Sequence, residues 1–65
     1  MAEFAAGQRV EADISGTMPD LGAVVTPGTV TGPGNAPGTF MVQTDAPFNG
    51  VDVFQLEASR LTARP

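Results

Sequence analysis

The chain has 65 residues and a formal net charge of −4, with seven acidic side chains against three arginines and no lysine, histidine or cysteine. That length holds one domain at most and buries only about 60% of its unfolded surface. Disulfides and thiolate or imidazole metal sites, the usual reinforcements of small folds, are excluded by composition. Arg9, Arg60 and Arg64 cannot supply the row of phosphate contacts that polyanion binding needs. No apolar run reaches the roughly 20 residues of a membrane span. Nucleic acid and membrane are therefore not expected as partners, and no cofactor is expected. Residues 1–6 read as a short tail with neither a basic start nor a long apolar core, unlike a signal peptide, so the cytoplasm is the expected location. The Ala, Gly and Pro bias, with arginine in place of lysine, suggests a GC-rich bacterial or phage source.

The first element is predicted over 7–14. Val10, Ala12 and Ile14 alternate with Arg9, Glu11 and Asp13, which is the period of a half-buried strand. Residues 15–22 are rich in Gly, Pro and small polar side chains and read as a loop. Met18 and Leu21 are expected to tuck its tip back onto the domain. A β pattern resumes at 23–26 and again at 28–31. Pro27 between them marks an edge, a bulge or a break, because proline cannot donate to a ladder.

Residues 32–38 hold three glycines and two prolines and read as a surface loop. Strands are expected over 39–44 and 50–56, joined through the Asn49-Gly50 hairpin signal. Leu56 to Leu61 is the place for a single 3-10 turn. Residues 62–63 read as a last short strand, and 64–65 as a fraying tail. About five short strands with turns every 8–12 residues point to an all-β barrel or sandwich over 7–63.

Three local stretches, Gly7-Gln8-Arg9-Val10, Gly28-Thr29-Val30-Thr31-Gly32 and Gly50-Val51-Asp52-Val53-Phe54, occur in an order that resembles small bacterial SH3-like barrels. Within that group the order is similar to the type II, plasmid-borne dihydrofolate reductases. The resemblance implies a five-stranded SH3-like barrel. It also implies a possible homotetramer with NADPH and a folate in a central pore. That family carries Val-Gln-Ile-Tyr on its last long strand and a lysine after the first. Here Val51-Asp52-Val53-Phe54 and Ala12 stand at those places. An acceptor-only carboxylate replaces an amide that both donates and accepts, and the tyrosine hydroxyl is missing. Fold and oligomer carry over from the resemblance, and reductase activity does not.

The residue types needed for general-base or nucleophilic catalysis are missing, since His, Cys, Lys and Tyr are all absent. Glu11 with Asp13, and Asp45 with Asp52, are the paired carboxylates. Charges at alternate strand positions ordinarily form a solvated face. Gly32 and Gly34 lack the lysine and following helix of a phosphate loop. Phe40 and Phe54 are expected in the core, where each contributes roughly 1.5–3 kcal/mol. Phe48, beside the turn, is the best exposed anchor. The expectation is a non-catalytic interaction or assembly module that binds a protein partner or itself. Its surface would be formed by Phe48, Met18 and Leu21, with Asp52 and Phe54 beside them. The competing expectation is a divergent reductase-like tetramer.

Overall fold

The computed structural model describes residues 4–64. Five antiparallel strands form one sheet: β1 Arg9–Asp13, β2 Val25–Pro33, β3 Thr39–Phe48, β4 Val51–Glu57 and β5 Leu61–Ala63. Their order across the sheet is β4-β3-β2-β1-β5. The 3-10 turn lies at Ala58–Arg60, inside the stretch expected for it. The protein is thus all-β, as the alternation predicted. β4 and β5 are the two edges and are not paired with one another, so backbone pairing does not close the sheet into a barrel.

The strands form where side chains alternate, and one face wins because it is apolar. Val10, Ala12 and Ile14 of the first stretch are fully buried, and with Val30, Val42, Phe54, Leu56 and Leu61 they make a single cluster. Every strand contributes to it, and among the described residues no helix covers it. The core is therefore built from the strands' own inner-facing side chains. Phe4, Met18, Leu21, Val24, Phe40 and Phe48 pack against this cluster as a half-buried rim. Phe4 meets Phe40 edge-on, with ring centroids 5.4 Å apart, a geometry that aromatic quadrupoles favour. Residues 1–3 of the expected tail lie outside the described residues. Gly7, the first residue after that tail, donates its N–H to the Val30 carbonyl at 2.7 Å.

Two irregularities depart from the expected element boundaries. β2 is one continuous strand through Pro27, with a register shift between Val30 and Gly32. Gly32 and Pro33, expected in the loop, end this strand opposite Met41 and Phe40. β3 runs on to Phe48 rather than stopping near Thr44, because a large bulge lies between Gln43 and Phe48. Pro47 sits inside that bulge, where the ladder asks for no N–H. The buried Thr44 hydroxyl donates to the Ala46 carbonyl at 2.8 Å, so its polar group is satisfied there. The hairpin closes at Asn49 and Gly50, whose φ angles of 50° and 80° are both positive. That is the type I′ requirement, and it explains the Asn-Gly pair.

The 15–24 loop is tied at its neck. The Ser15 hydroxyl accepts from the Val24 N–H at 2.9 Å and donates to the Val24 carbonyl at 3.3 Å. Arg60 Nη1 donates to the Asp13 and Ser15 carbonyls at 3.2 and 2.9 Å, joining the 3-10 turn to that neck. Arg64, expected to fray, is instead held. Its N–H donates to the Arg9 carbonyl at 3.0 Å, and its Nε pairs with Glu11 at 2.9 Å.

Candidate functional site

The β3–β4 hairpin and the 15–24 loop position the expected surface residues. Met18, Leu21 and Phe48 are all half-buried and all rest on the core cluster. The loop tip reaches the hairpin turn, where the Asn49 side-chain N–H contacts the Met18 sulfur at 3.5 Å. Met18 and the Phe48–Asn49 corner are therefore brought together, as a partner surface would need. Phe54 is a correction to the expected site. Its side chain is buried in the core and presents nothing to a partner. The apolar residues of β4 fall on both faces, and the larger Phe54 and Leu56 take the inner one.

Asp52 shares the side of β4 that carries Phe54 and Leu56, at the end nearest the turn, and is half-buried. The Gln43 side-chain amide donates to its carboxylate at 3.4 Å, and the Thr44 hydroxyl reaches its backbone carbonyl at 3.4 Å. It has no ion-pair partner among the described residues.

What the sequence reading missed is the outer face of the same strand. Val51 and Val53 are 41% and 47% exposed. They lie on an edge strand of seven residues with no proline, lysine or arginine in it. Edge strands are ordinarily blunted by such residues or kept short. The opposite edge, β5, is short, with three residues. The signal was present in Val51-Asp52-Val53-Phe54-Gln55-Leu56, where two interleaved apolar sets compete for one interior. Only packing chooses between them.

The outer face of β1–β3 is polar by contrast. Register places Arg9, Thr29, Gln43 and Val53 in one row across the four strands. The Arg9 guanidinium spans the row, donating to the Thr29 hydroxyl at 2.8 Å and to both Asp45 oxygens at 2.8 and 2.6 Å. This fork is bidentate, the stronger geometry for an Arg–carboxylate pair. It is also 42% and 45% exposed, so its contribution is screened.

The hydrogen bonds from Arg9 hold the Asp45 carboxyl below its ordinary value. Hydrogen bonding by Ser15, side chain and backbone N–H together, does the same for Asp13. Both groups are normally near 3.8. Their stabilising contribution is therefore complete above that pH and is lost as pH falls through the depressed folded values. Thermal unfolding is expected to be insensitive to these two groups from about pH 7 to about pH 5, with their contribution falling progressively below that. Asp45→Asn should remove part of that acid limb. An unchanged acid limb in the variant would contradict the role of the pair.

The other candidate chemistries are occupied. Glu11 is paired with Arg64, and Asp45 with Arg9. The glycine loop spends its amides internally: the Gly34 N–H donates to the Thr39 carbonyl at 2.9 Å, and the Asn35 N–H to the Gln55 side-chain oxygen at 3.0 Å. Among the described residues no three acidic side chains gather as metal ligands, and no pocket encloses a small molecule. No protein-family model matches this chain, no curated protein matches it, and no solved structure matches it.

Proposed function

We propose that this protein is a small SH3-like barrel that acts as a non-catalytic binding or assembly module, pairing with a protein partner or a second copy. The observation that carries the reading is the free β4 edge, with Val51 and Val53 exposed on the strand. An added strand would gain main-chain hydrogen bonds there and cover both valines, the strand-addition mode of recognition. The Met18, Leu21 and Phe48 rim near the hairpin tip, with Asp52 beside it, is a second apolar patch for a partner. The barrel part of the reading rests on the strand order and on a core fed by all five strands. A domain of this size and composition also gains stability by covering apolar surface with a partner.

Sedimentation of the wild type and the Val51→Lys/Val53→Lys variant at micromolar to millimolar concentration tests the self-pairing arm. Association is expected in the wild type and loss of it in the variant. Both side chains are exposed, so the melting behaviour should change little, within about 0.5 kcal/mol per site. A wild type that stays strictly monomeric and captures no protein that the variant fails to capture would end the reading. An NADPH titration in the same samples addresses the reductase-like alternative, and binding would favour the tetrameric pore over strand addition.

A further inference from the structure

We infer that Asn49 is a self-modification site, where the chain converts its own side-chain amide to a carboxylate through an imide formed with Gly50. Asn49 and Gly50 are both exposed at the tip of the hairpin. Gly50 has no side chain to crowd its backbone nitrogen, and nothing lies within 4 Å of the place where a Cβ would stand. The Asn49 amide is held only weakly. Its hydrogen-bond contact among the described residues is the Met18 sulfur at 3.5 Å, a poor acceptor. The residue also carries a φ of 50°, a left-handed conformation that asparagine tolerates better than other side chains but that still costs energy.

The chemistry needs only water. The Gly50 backbone nitrogen bonds to the Asn49 Cγ and gives up its proton. The Cγ–NH2 bond breaks, and ammonia leaves. A five-membered imide remains. Water then opens the ring on one of two sides. Breaking the Cγ–nitrogen bond gives an ordinary aspartyl residue. Breaking the bond between the Asn49 backbone carbonyl carbon and nitrogen gives an isoaspartyl residue, with the chain running through the side chain. Both products add one negative charge. The isoaspartyl form also lengthens the backbone inside a two-residue turn and disturbs the Phe48–Val51 pairing on which β4 is registered. The turn must open for the nitrogen to reach Cγ, and exposed hairpin tips open at low cost.

Asn35 is the internal control. Its neighbour is Ala36, whose methyl group crowds the attacking nitrogen, so the two asparagines of the chain differ at the atom that matters. The inference stands whether or not the surface proposed above binds a partner.

The test ages the full-length chain at mildly alkaline pH and maps its peptides by mass spectrometry. The amide-to-acid mass gain is expected at Asn49, with aspartyl and isoaspartyl products separating on chromatography. Conversion should be at least about tenfold faster than at Asn35, the ratio given by about 1.4 kcal/mol of barrier difference. Asn49 that stays intact, or converts no faster than Asn35, would overturn the inference. Gly50→Ala should slow conversion at Asn49. That glycine has a positive φ, so the variant and wild type are also compared in denaturant, where the fold no longer matters. Equal rates there would show that the residue 50 nitrogen is not the attacking group.

Discussion

Phe54→Ala is expected to cost about 3–5 kcal/mol, the largest single effect available in this chain. Phe54 is buried with Val10, Ala12, Ile14, Val30, Val42, Leu56 and Leu61 in the one apolar cluster. Cutting it to alanine loses the transfer free energy of the ring and leaves a cavity that the sheet cannot fully close. Domain stability runs at roughly 0.05–0.15 kcal/mol per residue, so a chain this short holds only several kcal/mol in total. The variant is therefore expected to be largely unfolded at room temperature, seen as loss of strand signal in circular dichroism. Val53→Ala, one residue away on the exposed face of the same strand, should change stability by no more than about 0.5 kcal/mol. Equal costs at the two positions would mean that β4 presents its other face to the core.

Gly28→Ala should be damaging because its new methyl group meets rigid backbone. A Cβ at Gly28 would stand 2.8 Å from the Gln43 carbonyl oxygen, 3.0 Å from Val42 Cγ1 and 3.3 Å from Thr44 Cα. Two of those neighbours belong to the backbone of β3, opposite Gly28 in the ladder, and cannot rotate away. Forcing a methyl group into a packed site costs about 1–3 kcal/mol. In a domain of this size each kcal/mol lowers the melting temperature by roughly 4–8 °C. Gly22 is the control, with nothing within 4 Å of its Cβ position. Alanine there is expected to be neutral or stabilising by about 0.4–1 kcal/mol, through lost freedom in the unfolded chain. A melting curve for Gly28→Ala that matches Gly22→Ala would remove the steric argument.

The two substitutions test different kinds of legibility. Phe54 was readable as a core residue, because a large aromatic in a β-prone run has few better places in a chain with so little apolar mass. Gly28 was readable only as a residue next to a proline at an uncertain break. Its actual constraint is the β3 backbone across the ladder, 15 residues further along, at Gln43. The site divides in the same way. Met18 and Leu21 were expected to fold back, and they do rest on the core. Val51 and Val53 were not singled out, since their exposure depends on which apolar set of β4 the other strands accept.

Local chemistry in the sequence determined the element types: period-two alternation at Val10, Ala12 and Ile14, the Asn49-Gly50 turn, and the glycine- and proline-rich loops. These signals act within a few residues and need no partner strand. Tertiary structure decided the rest. It carried β2 unbroken through Pro27, bulged β3 before Phe48, turned Phe54 inward, and held Arg64 on Glu11. It also left β4 as the longer of the two free edges. Each of these depends on contacts between residues distant in the chain. Alternation says that a strand has two faces, and only packing against the neighbouring strands decides which face is buried and which edge stays free.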